Sequence, residues 1–315
     1  IAPTPINTAS NWKGSQFQGA IKFYDVEQDA SDTNANFNIS TLAEFNNNLG
    51  KTIKKKFTLR GTHTSTNTGD PAAKILTAAF NLTLEIHGNF YGAGGVGGTS
   101  SSVNGTNGGA ALSINSGRVN VDIQPSGKIY GGGGGGEFGA NGSQGTAGTC
   151  QKDTNVSACN TDPSCPPGQT LISQSQGGCC ALERFCWGPW QTFCGNNCVG
   201  YTQNGVCRET TASSTPAAVI GGNGGAGRGF NNFSGSLSGS AGASPNCPTC
   251  ASGFTLQGGT GSCGSQGGTG GSGGDWGQNG GSTAAAGSGG SSGAAITGSG
   301  FTVVGNNSNT VKGAI

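Results

Sequence analysis

Residues 131–136 are six consecutive glycines, and glycine then recurs at every third position through Gly139, Gly142, Gly145 and Gly148. A stretch so poor in side chains cannot build a side-chain core. Other tracts keep the same period: Gly92, Gly95, Gly98; Gly221, Gly224, Gly227; Gly258 to Gly273 in steps of three; a second phase from Gly268 to Gly280; and Gly287, Gly290, Gly293. A flexible linker has no need of phase. Three residues per turn, with a rise of about 3.1 Å, is polyproline-II geometry, which makes no hydrogen bond within the helix. Each backbone N–H must therefore bond to a neighbouring segment or to water. We expect Gly133–Gly148 and Gly258–Gly280 to run side by side as extended left-handed helices, close enough for their backbones to bond. Collagen needs long register and abundant proline, whereas none of the 11 prolines lies in a tract. The packing is expected to be intramolecular.

Before the tracts the sequence is more conventional. "STLAEFNNNLG" sets Thr41 and Glu44 in capping-box spacing and Gly50 at a left-handed cap, predicting a short helix over Leu42–Leu49. "KTIKKKFTLRG" alternates Ile53, Lys55, Phe57 and Leu59 with polar residues, predicting a strand. Its basic residues, Lys51, Lys54, Lys55, Lys56 and Arg60, fit a solvated face or a lysine-protected sheet edge. Docking to a phosphate-bearing polymer is the alternative. Residues 1–90 thus read as a small α+β platform. "LTLEIHGNFYGAGG" (82–95) and "VNVDIQPSGKIYGGGG" (119–134) then form an internal repeat of strand, turn, short strand and glycine tract.

The twelve cysteines, Cys150, Cys159, Cys165, Cys179, Cys180, Cys186, Cys194, Cys198, Cys207, Cys247, Cys250 and Cys263, all lie between 150 and 263. Such density reads as disulfides formed in an oxidising exterior, with all twelve paired among themselves. "CPTC" at 247–250 has no second pair or histidines at zinc-site spacing, because His63 and His87 lie far upstream. Within this region "CCALERFCWGPWQTFCGNNCVGY" concentrates Glu183, Arg184, Phe185, Trp187, Trp190, Phe193 and Tyr201. These rings are either the small core of a disulfide knob or exposed, rigid contact groups. The divisions expected are 1–90 (platform), 91–149 (glycine layer with strand repeats), 150–216 (cysteine-rich insertion) and 217–315 (glycine layer and final strand).

The remaining signals exclude more than they assign. Charged residues make up 9% of the chain and the net charge is +1, so no field steers it to nucleic acid or to anionic lipid. No apolar run approaches the ~20 residues of a membrane-spanning helix. The chain lacks Met, and "IAPTPINTAS" lacks a signal-peptide pattern, which reads as a processed product or part of a longer polypeptide. "GAGGVG" at 92–97 matches a dinucleotide fingerprint but is not followed by a helix pattern. "GGSGGDWGQ" around Asp275 is an isolated calcium-type nonapeptide and cannot stack. Seven glycosylation sequons, including Asn81 and Asn232, are near chance for so Asn/Ser/Thr-rich a chain. No nucleophile sits beside a base, so no enzyme and no cofactor are expected.

The transitions "GNFYGAGGVGG" and "GKIYGGGGGG", the phased tracts and the closing "GSGFTVVGNNSNTVKGAI" resemble bacteriophage tail-fibre tip adhesins, the best-understood members being the receptor-recognising adhesins of T-even-like phages. The resemblance covers about residues 80–149 and 220–315. It implies a sandwich of polyglycine-II helices on an attachment domain, with loops at the helix ends binding outer-membrane protein or lipopolysaccharide. By position those loops are Thr99–Thr106, Cys150–Pro216 and Phe230–Leu256. The cysteine-rich insertion departs from the family pattern. The fold expected is therefore mostly β and irregular: an α+β platform, a polyglycine-II bundle and a disulfide-rich knob.

The function this supports is a non-enzymatic, extracellular adhesin on a virion fibre. Its partners would be a host surface polysaccharide or outer-membrane protein and other fibre subunits, without nucleic acid or membrane insertion. A secreted structural filament is the alternative. An ice-binding protein would need a flat repetitive face, and the positions between glycines (Glu137, Phe138, Asn141, Gln144, Asp275, Trp276) are too varied for one.

Overall fold

Strands with one apolar face and tight glycine turns stack the chain upon itself. The computed structural model describes residues 21–26, 37–41, 54–76, 79–115, 117–187, 193–283 and 287–315. The chain forms two compact units: one holds the described residues up to Asn141 together with Ile220–Ala243 and Gly267–Ile315, the other Gly142–Val219 and Ser244–Gln266.

The first unit contains a solenoid of three parallel sheets. Each turn of chain adds one strand to each sheet. Strands β1 (Ile21–Val26) and β2 (Phe37–Asn38) belong to the first rung; β3 (Lys54–Leu59), β4 (Thr62–Thr64) and β5 (Ala73–Ile75) form the next. Then follow β6 (Ala79–Ile86), β7 (Asn89–Tyr91) and β8 (Leu112–Ile114). The fourth rung is β9 (Gly117–Ile123), β10 (Lys128–Tyr130) and, far along the chain, β15 (Ile296–Gly298); β16 (Phe301–Val304) and β17 (Val311–Lys312) close the stack. The sheets run β1-β3-β6-β9-β16, β17-β10-β7-β4 and β15-β8-β5-β2.

The internal repeat is the rung itself. Leu82, Leu84 and Ile86 pair with Val119, Val121 and Ile123, and Phe90 and Tyr91 with Ile129 and Tyr130. The inward residues of all three sheets share one core that includes Phe57, Leu84, Val121, Phe90, Ile129, Ile75, Leu112 and Ile296. Gly88 turns the chain between two sheets where a Cβ would stand 2.2 Å from the Gly61 carbonyl oxygen.

Two expectations for the N-terminal region change. The strand over 54–59 is no edge, because β1 and β6 flank it on both sides, and Lys56 is ion-paired with Glu85 across the outer face. That pairing, with His87 Nε2 at 3.1 Å from Glu85, holds the Glu85 carboxyl below its usual range. Nor do residues 1–90 stand apart as an α+β platform: β3 to β7 share sheets with strands beyond 117, since the same inward apolar ladder runs through both. The expected helix at Leu42–Leu49 lies outside the described residues.

His63 occupies an inward position, 1% exposed, stacked between Phe37 and Phe90 with ring centroids 4.6 Å from each. Burial pushes its pKa from 6.5 to about 4. Between those values the unfolded chain takes up a proton that the folded chain refuses. Stability therefore falls as pH drops through about 6.5 to 4, by about 3 kcal/mol in all. We expect His63→Phe to flatten this part of the stability-against-pH curve; denaturant midpoints at pH 7.5 and 4 measure it.

After Tyr91 and Tyr130 the chain leaves the second sheet and enters glycine threads that are neither helix nor strand. Gly92, Gly95 and Gly98 donate to the carbonyls of Tyr130, Gly133 and Gly136 at 2.8–2.9 Å, a bond at every third residue. From residue 132 to 141 the thread donates in three directions: Gly132, Gly135 and Phe138 to segment 103–109; Gly133, Gly136 and Gly139 to 222–228; Gly134 and Glu137 to 278–281. It accepts bonds from 92–98, 268–274 and 290–293. Six segments thus surround one. This accounts for the six-glycine run: a Cβ at any of residues 131–136 would lie within 1.8–2.1 Å of a neighbouring carbonyl oxygen. Farther along, glycine is kept at every third residue, where Gly139 and Gly142 would each bring a Cβ to 2.1 Å from a carbonyl oxygen.

The second phase has the same cause. Gly267, Gly270 and Gly273 donate to Ala243, Ser240 and Leu237, while Gly268, Gly271 and Gly274 donate to Ala140, Glu137 and Gly134. The tract from Gly258 to Gly280 is not one continuous thread, however. Gly259, Gly261 and Gly277 have φ of 80°, 73° and 66° and make turns. Among the varied positions between glycines, Glu137, Phe138 and Trp276 are buried, at 0%, 4% and 8% exposed. The Glu137 carboxylate accepts from the backbone N–H of Thr283 and of Gly287, holding these two residues against the same side chain.

Candidate functional site

All twelve cysteines fall in the second unit. Its sheet comprises β11 (Thr149–Cys159), β12 (Thr170–Trp187), β13 (Phe193–Ala212) and β14 (Thr255–Leu256), antiparallel in the order β12-β13-β11-β14. Among the described residues its buried apolar side chains are few: Cys150, Cys207, Val219 and the prolines Pro163 and Pro216. Disulfides take the place of a core: Cys150–Cys250, Cys159–Cys180, Cys165–Cys207, Cys179–Cys198 and Cys247–Cys263. Cys186 and Cys194 face each other in the β12–β13 register. The cysteine-rich region is therefore an extended sheet, not a rounded knob. It also draws in 244–266, which sequence reading had assigned to the second glycine layer; Cys150–Cys250 is the bond that joins it.

β13 pairs with β11 as far as Thr202, and with β12 on to Phe193, so the hairpin continues as two strands. Most of the expected contact residues lie on this two-stranded part. Glu183 is opposite Asn197, Arg184 opposite Asn196, Phe185 opposite Gly195 and Trp187 opposite Phe193. Glu183 and Arg184 are exposed. Trp190 lies outside the described residues. Tyr201, 49% exposed, sits where the third strand ends. Asn160, at φ 62°, closes β11 there, its N–H donating to the Tyr201 carbonyl and its Oδ1 accepting from the Tyr201 N–H. Sequence reading found this cluster but not its neighbours Leu182 and Val199, 64% and 49% exposed; single aliphatic residues in a polar stretch give no signal.

The other expected loops separate. The turn at 99–102, bridged by Thr99 and Ser102, ends the thread 92–98 away from the solenoid. Residues 230–233 lie at the solenoid end, where Phe230 donates to Gly92 and Phe233 packs edge-on against Tyr91 at 5.3 Å. Trp276 joins that cluster, 5.2 Å from Tyr91 and 5.8 Å from Tyr130, and Arg228 pairs with Asp275 at 2.7 Å. This cluster braces the step from strand to thread. No group of three or more His, Cys, Asp or Glu able to hold a metal occurs among the described residues, nor does a helix long and apolar enough to cross a membrane.

Comparison with known proteins bears on the same residues. No curated protein matches the chain. Among solved structures, the crystal structure of the gp37-gp38 adhesin tip complex of the bacteriophage S16 long tail fibre aligns at 19% identity with a TM-score of 0.43, covering 98% of this chain and 88% of that one. The model of the family described as phage tail fibre adhesin Gp38 matches residues 25–205, which include both repeat copies, the six-glycine run and most of the disulfide-bonded hairpin. With more than half of its length matched, the chain belongs to the phage tail fibre adhesin Gp38 family.

Proposed function

We propose that this adhesin recognises a host-surface receptor, polysaccharide or outer-membrane protein, through the β12–β13 hairpin. The observation that carries the reading is the hairpin's two-stranded extension, on which Glu183, Arg184, Phe185, Trp187 and Phe193 fall in consecutive register. Aromatic faces suit the apolar faces of sugars and the rings of membrane-protein loops, and a planar guanidinium suits carboxylate or phosphate. The Cys179–Cys198 disulfide ties β12 to β13 at the base of this extension, which lowers the cost of ordering the hairpin on binding. In this reading the glycine threads are polyglycine-II helices whose backbone bonds supply stiffness. The protein acts by binding and not by catalysis, is carried on the virion, and has other tail-fibre subunits as partners.

Replacing Trp187 and Trp190 together with Ala in the phage is expected to lower the adsorption rate at least tenfold. Fibre assembly, seen by electron microscopy, should be unchanged, and protease resistance of the purified variant monitors the hairpin's fold. Normal adsorption by a correctly folded double variant would move recognition away from this hairpin.

A further inference from the structure

The broad sheet of the second unit carries a concavity unrelated to the hairpin tip. Pairing across β11, β13 and β12 sets two rows, Asn155–Val206–Ser173 and Ser157–Asn204–Ser175. Residues directly opposite in antiparallel strands share a face, so these six side chains rise from one side. They line a cavity of about 380 Å³, within the range of small-ligand pockets. Arg208 borders it, its Nε and Nη2 donating to the two Asp153 carboxylate oxygens at 2.7 Å each. Beyond the second row the Cys159–Cys180 bond links β11 to β12. Beneath the floor, Pro163 and Leu171 pack so near Gly205 that a Cβ there would lie 2.9 and 2.7 Å from them.

Asn155, Ser157, Ser173, Ser175 and Asn204 make no side-chain hydrogen bond to other described residues. Five neighbouring groups that both donate and accept are thus unspent, on a sheet stapled by disulfides. We propose that this concavity binds an uncharged sugar. A sugar hydroxyl also donates and accepts, and rows about 4.8 Å apart across strands and ~6.8 Å apart along them present such groups in a fixed grid. Short Ser and Asn side chains lose little entropy on binding. The bordering ion pair neutralises itself, so a phosphate or carboxylate ligand would find no counter-charge. Val206 is the one apolar side chain among those six, with Val156 the only other apolar residue of the lining, and no aromatic ring or long aliphatic chain stands there as the anchor a protein partner requires. The inference goes beyond receptor recognition by the hairpin tip and stands whether or not that reading holds.

The test uses the oxidised full chain, with calorimetry and saturation-transfer NMR against neutral hexamers of glucose, mannose and galactose and against hexagalacturonate. At least one neutral hexamer should bind, more tightly than hexagalacturonate. Asn204→Ala, and Ser175→Tyr, which fills the cavity, should each weaken binding at least tenfold. Both positions are exposed on the sheet face, and an unchanged disulfide count and protease pattern would establish that the variants fold. Absence of binding by all three neutral hexamers, stronger binding of hexagalacturonate, or equal affinity in both folded variants would overturn the proposal. Because adsorption is not measured, failure of the hairpin reading would leave this result intact.

Discussion

Full reduction is expected to unfold residues 142–219 and 244–266 while the solenoid remains protected. The second unit buries almost no apolar surface other than its own cysteines, so its ordering entropy is opposed chiefly by cross-links. Each native disulfide in such a small unit contributes about 2–5 kcal/mol, against a typical domain stability of about 5–15 kcal/mol. Loss of two or three is enough. Hydrogen exchange after reduction and alkylation should show fast amides throughout β11, β12 and β13. Phe57, Leu84 and Val121, in a unit without cysteine, should keep their protection. Slow exchange in β13 after complete alkylation would show that the sheet has another source of stability.

The second large effect is expected from a single methyl group. Gly134→Ala would place a Cβ 1.9 Å from the Gly290 carbonyl oxygen and 2.9 Å from the Gly280 nitrogen, both backbone atoms of threads that are themselves hemmed in. No side chain can rotate away. We expect a loss above about 4 kcal/mol, which for a domain of this size is roughly 10 °C or more in melting temperature, or failure to accumulate as soluble protein. Gly258→Ala is the matched control: nothing lies within 4 Å of its Cβ position, and the change should stay within ~0.5 kcal/mol. Calorimetry of the two proteins decides it, and similar melting temperatures would mean that the threads yield easily.

What could be read in the chain follows from what each region packs against. The copies at 82–95 and 119–134 were visible because Leu82, Leu84, Val119 and Val121 face a shared core and both copies end in Tyr-Gly. The same rung recurs at 55–64 and 301–312, but Lys55 and Lys56 blur one alternation, and the longer turn at 305–310 displaces the short strand of the other. The phased glycines were legible because backbone contact tolerates no alternative residue. The strands of the second unit were not. "ISQSQGGCC" has no apolar face because no continuous apolar core lies beneath it, only Pro163 and Leu171 under Gly205, and its register is held by covalent bonds whose pairing leaves no mark in the sequence. The aromatic cluster stood out by composition, yet its distribution over a hairpin did not.

The solenoid also has a schedule. Thr302 bonds to Asn120 across 182 residues of chain, and Thr297 to Leu112 across 185. At about 5–20 residues per second, the ribosome delivers the partner strands roughly 10–40 s after β8 and β9 emerge. During that interval the fourth rung is incomplete, with unpaired N–H and C=O groups along β9 and β10 and apolar residues at its open end. Such an edge accepts any strand it meets. The glycine threads made meanwhile depend on the thread at 131–141, so they too wait upon one another. Closure of the fourth rung therefore waits until β15, β16 and β17 have been made, and the open edges of β8, β9 and β10 stay exposed until then.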